Sequence, residues 1–155
     1  KIIVSCEWTE LSDKIAALIN SELSLRSWII NGKTPAKTRL SIVDEFSETN
    51  GTAVLVIHPQ TGGTGLNIQS ASHVFHYTLP WNPALEDQVT KRAHRLGQKK
   101  RVIRHRPYYL NTIDEVINEI LAQKRSLFDG LVPKNDNVPT HELINKVLRT
   151  RPPKE

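Results

Sequence analysis

Short unbroken apolar runs alternate along the chain with longer stretches in which apolar residues recur every three or four positions. The runs are residues 1–6 (KIIVSC), 27–31 (SWIIN), 53–58 (AVLVIH) and 73–78 (HVFHYT), and residues 101–110, although rich in basic residues, are read as a further strand. Most are rich in β-branched or aromatic residues, and each predicts a strand. Between them, residues 8–23 carry Leu11, Ile15, Leu18 and Ile19 at helical spacing. Residues 35–46 carry Leu40, Val43 and Phe46 behind Pro35, which suits the first turn of a helix. Residues 82–96 and 112–127 are helical too, the latter with Ile113, Val116, Ile117, Ile120 and Leu121 on one side. Strands that are apolar throughout must be covered on both faces, as a parallel sheet between helical layers is. The pattern predicts one α/β domain over residues 1–130 with a central, mostly parallel sheet. Residues 131–155 fall outside it, as a polar linker (PKNDNVP), a short helix over 140–148 capped by Thr140, and a frayed end.

Composition narrows the setting. With 155 residues, 38% hydrophobic and 24% charged, the chain can build one core and does not read as disordered. No apolar run approaches the about 18 residues of a membrane span, and no signal-peptide pattern is present. Cys6 stands alone, so no internal disulfide is expected and a reducing compartment fits. The chain opens on Lys and contains no Met, which predicts a piece of a longer polypeptide. The six histidines offer no metal site, because His73 and His76, three apart on a strand, face opposite sides. Net charge is +5, and from Lys91 to Arg106 basic residues recur with no acid among them. Such a run is either a solvated face or the footprint of an anionic partner, nucleic acid or nucleotide phosphate.

Three stretches bear on that anion. Gly32-Lys33-Thr34 follows an apolar run, as the end of a phosphate-binding loop does, but that loop needs a glycine five positions before Gly32, where Ser27 stands. No other stretch matches, so no such loop is predicted. Thr61–Asn67 (TGGTGLN) follows the strand AVLVIH; its glycines permit close backbone approach beyond a strand's carboxyl end, where parallel sheets bind ligands, though a plain connecting loop reads the same way. On the helix over 82–96, Gln88, Arg92 and Arg95 share one stripe, with Leu85, Val89, Ala93 and Leu96 about a quarter turn away. Both arginines are therefore expected at the rim of a packed face, pointing outward unless Glu86 and Asp87 hold them. Gly97 ends the helix.

Residues 61–98, TGGTGLNIQSASHVFHYTLPWNPALEDQVTKRAHRLGQ, resemble motifs V and VI of the second RecA-like lobe of superfamily two helicases, specifically the Swi/Snf family of ATP-dependent DNA translocases. Trp81-Asn82-Pro83 ahead of Gln-x-x-x-Arg-Ala-His-Arg-x-Gly-Gln is particular to that family. KIIVSCEWTELSD resembles motif IV, INGKTPAKTRLSIVDEF the family's Gly-x-Thr…Arg…Phe segment, and TIDEVINEILAQKRSLFDG its closing helix. Two departures stand out. Cys6-Glu7 occupies a place where Ser-Gln is common, and His58-Pro59-Gln60 replaces the Ser-Thr-Arg of chromatin-remodelling members, which looks more like bacterial or phage ones.

The resemblance implies a three-layer RecA-like, P-loop NTPase-like fold lacking its own Walker A loop. It implies ATP and Mg2+ held mainly by an N-terminal RecA-like lobe of the same polypeptide. Arg92 and Arg95 would be arginine fingers, with Arg95 on the γ-phosphate and Gln88 holding the phosphate or the attacking water. Gly65 and Asn67 would join the glycine loop to the nucleotide cleft. Thr61, Gly62 and Gly63 would meet the phosphates of double-stranded DNA, with Lys33 and Thr34 as further backbone contacts. Trp81 would project towards the duplex, or else be a core aromatic; Trp8 and Trp28 read as core. The setting implied is the cytoplasm of a bacterial or phage-infected cell rather than a nucleus, with no membrane. The alternative is a non-catalytic basic RecA-like module that binds DNA or a protein. An RNA helicase lobe fits less well, because the combination of Trp-Asn-Pro with Ala-His-Arg-x-Gly-Gln is atypical there.

Overall fold

A computed structural model describes residues 1–62, 65–80 and 82–128. The linker and helix expected beyond residue 130 lie outside the described residues, as do Gly63 and Trp81. In chain order the elements are β1 (Ile2–Ser5), α1 (Thr9–Glu22), β2 (Arg26–Ile30), α2 (Ala36–Glu48), β3 (Ala53–Ile57), a 3-10 turn (Pro59–Gly62), β4 (His73–His76), α3 (Pro83–Ala93), β5 (Ile103–His105) and α4 (Ile113–Phe128). The described residues group into two units. The first, Lys1–Pro80 with Ala84–Pro107, holds the sheet; the second runs on from Tyr108 and holds α4.

The sheet has strand order β2-β3-β1-β4-β5, and all four ladders are parallel. Ile3 lies opposite both Leu55 and Val74, which puts all three on one face. There they join Val43 and Phe46 of α2 and Val89 and Ala93 of α3 in one core cluster. Val4, Val54 and Val56 point to the other face, where Ile15, Ala16 and Ile19 of α1 cover them. All five residues of β3 are buried, which is why its sequence is apolar at both parities. The layers are thus helix, sheet and helix, a RecA-like α/β arrangement.

Some expectations change in detail. The helix begun at residue 82 stops at Ala93, so Leu96, expected on its apolar stripe, is fully exposed. Gly97 takes φ +102°, where a side chain would be strained. β5 spans three residues instead of ten, because its ladder with β4 ends at Phe75–His105 and Pro107 supplies no donor. Trp8 is not in the core but 66% exposed, since β1 ends at Ser5 and the chain leaves the sheet before it. Trp28 packs edge-on against Phe46, its ring centroid 5.9 Å away. His73 and His76 do face opposite sides, towards His105 and Thr90 respectively. No described helix is long and apolar enough to cross a membrane.

Candidate functional site

Gly32-Lys33-Thr34 lies in a tight turn at the carboxyl end of β2. The Thr34 amide donates to the Asn31 carbonyl at 3.0 Å, and the Lys33 amide to Asn31 Oδ1 at 3.0 Å. The Thr34 hydroxyl accepts from the Asn31 amide at 3.1 Å and donates to the Ile29 carbonyl at 3.4 Å. The Lys33 and Thr34 amides and the Thr34 hydroxyl are thus spent on the turn itself and are not presented to a triphosphate. Lys33 reaches Asp13 at 3.9 Å, both side chains largely exposed, so this pair is weak.

Beside that turn, at the carboxyl end of β3, comes the 3-10 turn carrying Thr61 and Gly62. It is gripped by two guanidinium groups. Arg92, on α3, donates to the Pro59 carbonyl at 3.0 Å; Arg39, on α2, donates to the Thr61 carbonyl at 2.7 Å. Arg92 is only 3% exposed, so it does not leave the rim as its spacing suggests. It follows Val89 and precedes Ala93, both fully buried, and its aliphatic stem goes in with them. Burial holds its guanidinium below the usual arginine pKa, and the like charge of Arg95 adds to that.

Arg95 lies two residues past the end of α3 and is exposed. Its Nη1 donates to Asn67 Oδ1 and, more loosely, to the Gly65 carbonyl at 3.4 Å. The structure thus brings Arg95, Gly65 and Asn67 together. Gly65 has φ +26°, while the flanking Leu66 and Ile68 are buried and anchor the segment. Gln88 is exposed on α3, one helical turn before Arg92. Among the described residues no carboxylate pairs with Arg92 or Arg95. The candidates on their own helix are engaged elsewhere: Asp87 accepts from Arg104 at 2.8 Å, and the fully buried Glu86 from Arg106 Nε at 3.1 Å. The basic run is thereby partly neutralised at its β5 end and left positive near Arg95.

Two contributors were not singled out from the sequence. Gln98 donates its carboxamide nitrogen to the carbonyls of Gln69 and Ala71, both at 2.8 Å, and of Ala93 at 3.2 Å, tying the segment after Asn67 to the end of α3. Arg39 is the other, and only its place in the Gly-x-Thr…Arg…Phe pattern hinted at it.

A family profile described as "Helicase conserved C-terminal domain" matches residues 1–97. Zorya protein ZorD of Escherichia coli O139:H28 is 35% identical over 136 residues, covering 82% of this chain and 13% of that protein. This chain therefore spans a small part of the relatives it matches. The crystal structure of the C-terminal part of the Fun30 ATPase domain shares the fold, with a TM-score of 0.78 at 23% identity over 96% of this chain and 48% of that one. The Sulfolobus solfataricus SWI2/SNF2 ATPase core in complex with dsDNA is 31% identical, with a TM-score of 0.70 over 92% of this chain and 31% of that one. The chain belongs to the helicase conserved C-terminal domain family, as the C-terminal lobe of a superfamily two helicase of the Swi2/Snf2 type.

Proposed function

We propose that the chain is the second lobe of an ATP-dependent double-stranded DNA translocase, closing over ATP that a first lobe of the same polypeptide holds. One observation carries the reading. Arg95 is exposed beyond the end of α3, held by neutral oxygens, while the nearby acids Glu86 and Asp87 are committed to Arg106 and Arg104. A guanidinium kept in place without a counter-charge is ready for an anion from outside, and its planar fork suits phosphate oxygens. As water attacks the γ-phosphorus and the bond to the bridging oxygen breaks, charge spreads over the γ-oxygens and onto ADP, where such a group stabilises it. Arg92 lies behind Arg95 and adds positive field while bracing the 3-10 turn. Gln88 reaches the phosphate or the attacking water.

Among the described residues no group of three or more His, Cys, Asp or Glu is arranged to hold a metal ion. In this reading Mg2+ accompanies ATP on the other lobe. Lys33 and the 3-10 turn with Thr61 and Gly62 face the DNA backbone; Gly63 and Trp81, which the resemblance implies as further contacts, lie outside the described residues. The Sulfolobus core in complex with dsDNA supports a duplex partner. A bacterial cytoplasm is the setting in this reading; the relatives include bacterial ones such as ZorD and eukaryotic ones such as RAD5B of Arabidopsis thaliana.

The second reading, a basic module without turnover, draws on the charge alone. ATPase assays separate the two: this chain alone should be inactive, and joined to its N-terminal lobe it should hydrolyse ATP faster with double-stranded DNA than with RNA. A joined protein indifferent to nucleic acid would favour the module.

A further inference from the structure

Arg39 stands in the first turn of α2, between two loops that leave neighbouring strands side by side. Ile30 of β2 is opposite Ile57 of β3, and the His58 amide donates to the Ile30 carbonyl at 2.9 Å, carrying the pairing past the end of β3. Beyond that point one strand continues into the 31–34 turn and the other into the 3-10 turn. Arg39 spans them, with Nε donating to the Thr34 carbonyl at 3.0 Å and Nη1 to the Thr61 carbonyl at 2.7 Å.

We infer that Arg39 is the positioning residue that makes these two loops one phosphate cradle for the nucleic-acid backbone, an inference that rests on the DNA-backbone reading above. A guanidinium presents donors in a rigid planar fork, so bonds from two of its nitrogens to two carbonyls fix the carbonyls' separation and direction. A lysine ammonium, a flexible point charge, cannot do this. Both acceptors are neutral, and among the described residues no carboxylate pairs with Arg39. The positive charge is therefore not cancelled where Lys33 and Thr61 stand, and it adds to the attraction for an anion. The arrangement also gives a physical sense to the spacing of Thr34, Arg39 and Phe46. Thr34 closes the turn, Phe46 anchors α2 in the core with no exposed surface, and Arg39 ties the turn to its neighbour.

The test uses the whole 155-residue chain, with Arg39→Ala and Arg39→Lys variants. Amide hydrogen exchange and binding to a short fluorescein-labelled duplex at low salt are measured on each. Losing the charge-assisted bonds should speed exchange about tenfold or more in residues 31–34 and 58–61 together. Amides of Val54, Leu55 and Val56 should stay protected, which shows that the variants fold. Duplex affinity should drop for both variants, less for Arg39→Lys, which keeps the charge but loses the fork. Loosening of one loop only, or of neither, overturns the tie. So does an Arg39→Lys protein indistinguishable from wild type, because charge alone would then suffice. If the wild-type chain bound no duplex, the nucleic-acid reading would fall and take the cradle with it. A chain that binds duplex with loops indifferent to Arg39→Ala would defeat the tie alone.

Discussion

Arg106 donates through Nε to Glu86 Oε1 at 3.1 Å, across twenty residues of sequence, and so occupies a carboxylate with no exposed surface. The pair does two things. It joins α3 to the chain just past β5, and it keeps a buried acid away from Arg92 on the same helix and from Arg95 just beyond it. With Asp87 held by Arg104 as well, the acids within reach of α3's arginines are answered by other arginines.

Glu86→Ala should therefore destabilise the fold strongly. It leaves Arg106, whose side chain is 20% exposed, without its counter-charge, a loss of about 3 kcal/mol. Urea denaturation of wild type and variant checks this. The variant should melt at clearly lower urea with an unchanged slope; equal midpoints would mean the pair contributes nothing.

Gln98→Ala should cost about 2 kcal/mol, because three backbone carbonyls lose a common donor. Gln98→Glu should be worse than Ala, since a carboxylate would face those same carbonyls with acceptors only. Denaturation midpoints in the order wild type, Ala, Glu would support the tie between the 69–71 segment and α3.

Duplex binding by this chain should weaken steeply with salt. Each phosphate contact contributes about 0.9 to the slope of log affinity against log salt. Lys33→Ala should lower the slope by about one contact, with little effect on stability given the weak Asp13 pair. Measuring affinity over a salt series reads both. An unchanged slope would remove Lys33 from the interface.

The order of strands and helices was legible because four of the five strands of this parallel sheet lie in short apolar runs and each helix keeps its period. Phe46 and Val43 lie where the spacing put them, whereas Leu18 and Leu40, on the same apparent stripes, are exposed. Periodicity cannot tell how wide a buried face is. It also fails past a helix end: Arg95 lies beyond Ala93, so the i, i+4, i+7 geometry does not govern it, and the two arginines part company. Arg92 turns inward with Val89 and Ala93; Arg95 stays out. The partners of Glu86 and Asp87 were illegible for another reason, because they come from β5 and the residue just past it, seventeen to twenty residues further on. The neutral grip of Arg39 on two loops is likewise a product of strand adjacency, which sequence spacing does not encode.

The most direct measurement is DNA-stimulated ATP turnover by the joined two-lobe protein with Arg95→Ala. An arginine finger is worth about 10³–10⁵ in rate, so turnover should fall by at least about a thousandfold. The exposed side chain should leave the melting temperature close to wild type, and ATP should still bind the first lobe. Turnover within a few-fold of wild type, with the fold intact, would contradict the assignment of Arg95 to the γ-phosphate.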